Sequence, residues 1–220
     1  MFETGWNILN FLTQGFGTTL SIFLTATVFS FLMAFIAGLT RLSGNILIRG
    51  VAAVYVEVFR GTSLIVQLFW LYYAVPMLFN INLGSNWWVG VVAIALNYGA
   101  YMSEVVRTSV MSVDKGQTEA GIALNLTRFQ RMRHVILPQA LRLMLPEFGN
   151  YSIQILKGTA LVSLIGLTDI LYFGDIYRST NLSEGPLAYL MVLIMYFIIA
   201  LPLIWLSKKG EKIARRGVAS

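Results

Sequence analysis

The sequence predicts an all-α integral membrane protein with about five transmembrane helices. Its 220 residues are 57% hydrophobic and 12% charged, whereas a soluble domain carries about 25% charged residues. Several uncharged runs reach the roughly 20 residues that a helix needs to cross the hydrocarbon core of a bilayer. The basic residues also collect in alternate connections between these runs, which is typical of a multi-pass membrane protein.

Five segments are apolar enough to be spans, and they make the chain a single transmembrane domain, residues 1–220. No ionisable group occurs between Phe16 and Leu39, and the leader before them carries Glu3 but no Lys or Arg, unlike a signal peptide. The third span opens with Trp87 and Trp88, a pair typical of the headgroup level. The predicted spans are 16–40, 51–79, 87–110, 146–168 and 187–207.

The charge distribution predicts the orientation of the chain in the cytoplasmic (inner) membrane. Most bases lie in three segments that fall on one side after five crossings: the connection 41–50, the loop 111–145 and the tail after Ser207. The opposite side holds the leader, 80–86 and 169–185, where Arg178 is the only base. The positive-inside rule therefore places the amino terminus outside and the carboxyl terminus in the cytoplasm. The net charge of +6 reflects topology and does not indicate a nucleic-acid partner.

The loop 111–145 is predicted to be structured. Asp114 is placed to cap a short helix over 117–124, and Asn125 follows where a left-handed residue commonly ends a helix. Thr127 and Gln130 form a capping box that opens a second helix. We expect this second helix to run to about residue 135 and to be broken by Pro138. A basic surface loop is the alternative, and a DNA-reading helix-turn-helix is improbable because both ends are tethered to the membrane.

Within this loop, several residues resemble the EAA loop of ABC importer permeases. The family pattern is E-A-A, a Gly four residues after the third position, and I-x-L-P. Gly121 replaces the third-position Ala and Asn125 replaces the usual Gly, but the spacing is retained. The residues that carry the resemblance, and that it implies for docking an ATPase, are Glu119, Ala120, Gly121, Leu124, Asn125, Ile136 and Pro138.

Further motifs resemble the polar amino acid uptake branch of that family, which includes histidine, glutamine and arginine permeases. They extend from about residue 60 to residue 170 in the expected order. The matching segments are Phe59–Gln67 (F-R-G-T-P-L-x-V-Q, with Ser63 for Pro), Tyr101–Arg107 (Y-x-x-E-x-x-R), Gly116–Ala120 (G-Q-x-E-A), Pro138–Arg142, and Lys157–Leu161 (K-x-T-S-L, with Ala160 for Ser).

The resemblance implies that this chain works in an assembly. A separate ATPase subunit on the cytoplasmic face would bind ATP and Mg, because this sequence lacks a G-x-x-x-x-G-K-[ST] loop and needs no cofactor of its own. A second permease subunit, identical or homologous, would complete the solute path, and membrane lipid would surround both. An extracytoplasmic solute-binding protein would dock on the outer face. The implied function is ATP-driven import of a polar amino acid or a related compatible solute.

Polar residues inside the predicted spans are candidates for the substrate path, because ionisable groups in a membrane are costly. Two interpretations stay open: these side chains line the path, or they hold helices together. Glu57 with Arg60 and Glu104 with Arg107 are spaced to pair along one helix face. Lys157 either pairs with Glu104 or another buried carboxylate, or lines the path. The full set is Glu57, Arg60, Gln67, Asn97, Tyr98, Tyr101, Glu104 and Lys157.

Two other classes of function compete with a permease subunit. A secondary transporter or channel driven by an ion gradient often contains inverted repeats, and the sequence shows no repeat. A membrane enzyme needs a polar constellation, whereas His134 is the only histidine and there is no cysteine. The sequence therefore predicts no catalytic residue and no metal site.

Overall fold

The computed structural model describes residues 2–216, which form helices joined by short connections and contain no β-strand. Wide π turns occupy Trp70–Ala74 and Met132–Ile136, and a 3₁₀ segment occupies Thr159–Ile165. The helices are α1 (Phe2–Leu12), α2 (Phe16–Thr40), α3 (Ile46–Gly61), α4 (Leu64–Phe69), α5 (Val75–Phe79), α6 (Asn86–Met111), α7 (Lys115–Ala123), α8 (Arg128–Arg131), α9 (Leu137–Gly158), α10 (Ile170–Thr180) and α11 (Gly185–Arg216).

Three unbroken helical stretches are long and apolar enough to cross a membrane: Glu3–Thr40, Asn86–Met111 and Leu182–Lys212. Two bent pairs bring the number of spans to five when each pair counts as one. The predicted fold class, an all-α membrane protein of about five spans, is therefore confirmed. The last helix continues beyond the predicted end of its span to Arg216, and residues 217–220 of the predicted tail lie outside the described residues.

The second and fourth spans differ from the continuous helices that their hydrophobicity predicts. In the second, α3 already begins at Ile46 and ends at Gly61, and the chain then bends by 107° into the helix that starts at Leu64. In the fourth, the helix that ends at Ile165 is followed by a 51° bend into α10. The segment 169–185, predicted as a loop, therefore contains a helix, because its apolar face packs against α11.

The core of the domain is the pair α2 and α6, against which α9 packs. Two glycines allow the close approach of this pair. A Cβ at Gly99 would lie 2.7 Å from the Cβ of Met33, and one at Gly38 would lie 2.7 Å from the carbonyl oxygen of Ser103. Small residues at helix contacts are the usual means of tight packing in membranes.

At the opposite end of the bundle from the loop 111–145, a buried carboxylate joins three elements. Asp169 caps α10 by accepting hydrogen bonds from the amides of Leu171 (3.3 Å) and Tyr172 (2.9 Å). It also accepts one from the hydroxyl of Tyr196 in α11 (3.1 Å). The next amide, Ile170 N–H, donates to Thr19 Oγ1 of α2. The bend of the fourth span is thus fixed to α2 and α11.

Candidate functional site

The loop 111–145 folds through the local motifs that the sequence predicts. Asp114 caps α7 by accepting from the amide of Gly116 (2.6 Å). Asn125 is in the left-handed conformation, with φ 55°. The amide of Asn125 donates to the carbonyl of Ile122 (2.9 Å), and the amide of Leu126 donates to the carbonyl of Gly121 (3.0 Å). This pair of hydrogen bonds is a Schellman motif, in which the left-handed residue reverses the chain. The predicted end of α7 is confirmed.

The predicted capping box of the second loop helix is also present. The side chain of Gln130 accepts from the Thr127 amide (2.9 Å), and Thr127 Oγ1 accepts from the Gln130 amide (3.3 Å). Each side chain satisfies an amide that has no partner within the helix. The turn 124–127 therefore connects two helices whose facing ends are both capped.

The predicted break at Pro138 is wrong, because the helix that starts at Arg128 continues without interruption to Ile165. A π turn at Met132–Ile136 replaces the expected end of the helix. Proline lacks an amide hydrogen and its ring collides with the carbonyl of residue i−4 in a regular helix. The wider turn directly before Leu137 makes room for the ring, and the loop helix α8 becomes continuous with the membrane helix α9.

The candidate docking surface of α7 and α8 projects from the protein. Leu124 and Phe129 are 74% and 70% exposed, and Ile122 is 56% exposed. Glu119 is exposed and forms no ion pair within residues 2–216. The other predicted docking residues divide by burial: Ala120, Asn125 and Pro138 are exposed, Ile136 is half-buried and Gly121 is buried.

The helix break between α3 and α4 is held by two of the predicted path residues, Gln67 and Asn97. The amide nitrogen of Gln67 donates to the carbonyl oxygens of Phe59 (2.9 Å) and Thr62 (3.2 Å). The amide nitrogen of Asn97 donates to the same Phe59 oxygen (3.0 Å) and to Gln67 Oε1 (3.1 Å). Carbonyls at the end of a helix lack intrahelical partners, so both side chains replace the hydrogen bonds that the break removes.

On the other side of the break, the helix that begins at Leu64 has an open end. Ser63 occupies its N-cap position in extended conformation, but its side chain makes no capping hydrogen bond. Amides of a first helical turn have no partner within the helix, and this first turn lies in the middle of the second span. The break therefore presents backbone N–H groups and the positive end of a helix at membrane depth.

Glu104 is the centre of an arginine cluster toward the carboxyl end of α6. It forms ion pairs with Arg107 of the same helix, as predicted, and with Arg41 at the end of α2. Arg60 of α3 lies 4.0 Å away and over the ring of Tyr101, at 5.5 Å from its centre. The pairing with Arg41 was not predicted, because Arg41 is 63 positions from Glu104 and no local pattern joins them.

Two of the predicted ion pairs are wrong. Among the described residues, Glu57 pairs with no cation, since its expected partner Arg60 turns toward Glu104. Lys157 pairs with no carboxylate in the same range and is exposed on α9. Its other predicted role, in the lining of a path, stays a prediction.

Lys157 belongs to a polar stripe on α9 that was not among the predicted features. The stripe comprises Glu147, Asn150, Gln154 and Lys157, which are the only exposed positions between residues 146 and 158. Their spacing of three and four residues puts them on one helix face. Helical periodicity applied to the polar positions of this span would have identified the stripe.

Tyrosines of α6 line the edge of this stripe. The hydroxyl of Tyr98 donates to the carbonyl oxygen of Gln154 (3.0 Å). The ring of Tyr101 lies 6.2 Å from that of Tyr151, and its hydroxyl donates to the carbonyl oxygen of Arg60 (3.0 Å). The tyrosines thus join the stripe to Arg60, which directly follows the Phe59 carbonyl of the break and lies beside Glu104. We call the stripe, these tyrosines, the helix break and the arginine cluster together the polar face.

Comparison with known proteins identifies the class of molecule to which this arrangement belongs. Residues 26–211 match the family described as the inner membrane component of binding-protein-dependent transport systems. The chain belongs to this family. The predicted membership of the ABC importer permeases is therefore confirmed, and the chain is a membrane permease component.

Two curated relatives cover nearly the whole chain. A probable amino-acid ABC transporter permease protein of Sinorhizobium fredii is 40% identical over 209 residues, which are 93% of this chain and 87% of the relative. The glutamine transport system permease protein of Escherichia coli is 36% identical over 207 residues, or 94% of each chain.

Two solved structures share the fold. An amino acid ABC transporter crystallised with histidines is 34% identical, with a TM-score of 0.87 and coverage of 96% of this chain and 98% of the other. An inward-facing MetNI methionine ABC transporter is 21% identical, with a TM-score of 0.73 and coverage of 94% and 95%; at that identity the likeness concerns the fold alone.

Proposed function

We propose that this chain is the permease subunit of an ATP-driven ABC importer for a polar amino acid or a related compatible solute. Its family and its relatives, which include glutamine and L-cystine permeases, support the transport of an amino acid. In this proposal the chain has no enzymatic activity of its own. A separate ATPase binds ATP and Mg, and a solute-binding protein delivers the substrate to the outer face.

The observation that carries the proposal is the polar stripe. A charged residue at the centre of a membrane helix costs about 2.5–3.5 kcal/mol on insertion scales. Lys157 lies about ten residues into the fourth span and Glu147 lies at its start, both on an uncovered face. By contrast, the exposed residues of α11 between Leu190 and Leu206 are mostly large and apolar. The α11 face therefore suits lipid, whereas the stripe suits a second permease subunit and a water-accessible path between the two.

The polar face has the groups that a zwitterionic solute requires. Lys157 and the open helix end at Leu64 offer positive charge to a carboxylate, and Glu147 offers negative charge to an ammonium group. Broken membrane helices that direct their amino ends at anionic substrate groups are a recurring feature of transporters. Glu147 and Lys157 are ten residues apart on one helix, or about 15 Å, so a single amino acid would meet these charges in succession during passage.

The exposed surface of α7 and α8 is the proposed dock for the ATPase. Its apolar residues would bury area, and the unpaired Glu119 would fix the register of the two proteins. The arginines and lysines on the same side of the chain support a cytoplasmic location of this surface. The amino terminus then lies outside and the carboxyl terminus in the cytoplasm.

The test is uptake into liposomes that contain this chain with the ATPase that co-purifies with it and the binding protein. Labelled L-glutamine, L-arginine and L-cystine serve as the probes. We expect ATP-dependent uptake of at least one of them, and a roughly tenfold loss in Lys157→Met, the size expected for one charge-assisted hydrogen bond. Leu193→Met, on the apolar face of α11, is the matched control and should transport normally. Uptake driven by an ion gradient without ATP would contradict the proposal.

A further inference from the structure

Helix α7 touches the membrane helix α9 directly, across 22 positions of sequence. The side-chain nitrogen of Gln139, in the first turns of α9, donates to Gln117 Oε1 of α7 at 3.1 Å. The same nitrogen donates to the carbonyl oxygen of Val135 at 2.9 Å. A carbonyl oxygen only accepts, so this second bond fixes the orientation of the Gln139 amide. The contact therefore has a defined direction, with the donor on α9 and the acceptor on α7.

A second contact lies one helical turn further along α7. Gly121 is buried, and a Cβ at this position would lie 2.9 Å from Cδ of Arg131. The missing methyl group thus lets the Arg131 stem pack onto α7. Arg131 directly precedes the π turn that leads into α9. Two contacts one turn apart therefore join α7 to the segment 131–139, which leads into α9.

The connection of α7 to α6 is weaker. Only the short segment 112–114 joins the two helices. Within residues 2–216, the side-chain hydrogen bond of Asp114 is to its own helix at Gly116, and that of Ser112 is to the Thr108 carbonyl in α6. No side-chain hydrogen bond in this range runs from α7 to α6. A displacement of α7 therefore reaches α9 more directly than α6.

We propose that Gln117 and Gln139 are positioning residues that transmit the movement of α7 to α9, and so to the polar stripe. The pair does not touch the solute; it makes α7 and the amino end of α9 move as one body. This inference rests on the proposed docking of the ATPase at α7 and α8. The π turn at Met132–Ile136 belongs to the same moving body, because Arg131 contacts α7 directly before the turn and Gln139 contacts α7 after it.

The experiment compares the accessibility of the stripe between two states of the ATPase cycle. The chain has no cysteine, so Asn150→Cys introduces a single thiol in the middle of the stripe. The complex with its ATPase is reconstituted in liposomes, and the rate of maleimide modification is measured in the apo state and after trapping with ATP and vanadate. Three backgrounds are compared: the natural pair, Gln117→Leu, which removes the acceptor, and Gln117→Glu, which retains it.

We expect the nucleotide-dependent change in modification rate to be equal in the natural and Gln117→Glu backgrounds. In Gln117→Leu it should be about fivefold smaller, the ratio that the loss of one net hydrogen bond produces, while ATP hydrolysis continues. Gln139→Leu removes the same bond, together with the bond to the Val135 carbonyl, without altering α7. It should therefore show at least the reduction seen in Gln117→Leu, and it separates transmission from docking. A full response in both leucine variants would overturn the inference. No response in the natural background, or no bound ATPase, would instead overturn the proposed docking.

Discussion

The cytoplasmic loop and the polar face are built in different ways, although both are candidates for function. The loop is organised by hydrogen bonds between residues two to five positions apart, such as those of Asp114, Asn125 and the Thr127–Gln130 box. The polar face is organised by bonds between helices, such as Asn97 to Phe59 and Glu104 to Arg41. The loop is therefore specified by local sequence, whereas the contacts between helices that organise the polar face form only after the bundle has packed.

This difference predicts that changes in the polar face have larger effects on stability than changes in the loop. A group of the polar face supports several helices at once, and its partners inside the bundle lose hydrogen bonds when it is removed. A group in the loop supports one helix end that water can also satisfy. Three substitutions test this contrast, each on the complete chain in detergent or lipid.

The largest effect is expected for Gln67→Leu. This change removes the donor to the carbonyls of Phe59 and Thr62 and the acceptor for Asn97, inside the bundle. A buried polar group without a partner costs about 1–3 kcal/mol, so we expect a loss of roughly 3 kcal/mol, measured by thermal unfolding in detergent. Gln14→Leu, an exposed position outside the network, is the control. An unchanged unfolding temperature in Gln67→Leu would mean that the break does not depend on this network.

The same contrast explains which parts of the structure the sequence could predict. Helical periodicity and hydrophobicity predicted the fold class, and capping rules predicted both ends of the loop turn. They could not predict the 107° bend at Gly61–Leu64, since the segment 61–79 is uniformly uncharged and Ser63 replaces the Pro usual in its motif. Glu104 pairs with Arg41, and not with Lys157, because α2 packs on α6 and brings Arg41 beside it. A local sequence pattern does not specify which of two distant cations lies next to a carboxylate.

An intermediate effect is expected for Glu104→Gln. The carboxylate neutralises part of the charge of Arg41 and Arg107, both half-buried, and lies beside Arg60. Loss of one partner of a buried ion pair costs about 3–5 kcal/mol, and solvent access at this cluster reduces the value to about 2 kcal/mol. Chemical unfolding monitored by tryptophan fluorescence gives the measurement.

The matched control for Glu104→Gln is Glu57→Gln, since Glu57 is exposed and has no ion-pair partner within the described residues. That change should leave the unfolding midpoint within experimental error. If Glu57→Gln and Glu104→Gln destabilise the protein equally, the arginine cluster has no special role and only the total charge of the chain matters.

The smallest effect is expected in the loop, for Asn125→Ala. Asn125 has φ 55°, and an alanine in this left-handed conformation costs about 1 kcal/mol, which should accelerate amide hydrogen exchange in α7 about fivefold. Asn125→Gly keeps the conformation without strain and should leave exchange unchanged or slower. Both variants should keep the unfolding temperature of the bundle, because the strain is confined to one exposed turn. Unchanged exchange in Asn125→Ala would show that the contacts of α7 with Arg131 and Gln139 hold the helix without its cap. In that case the loop, like the polar face, would depend on packing between distant residues, and the distinction between the two regions would fail.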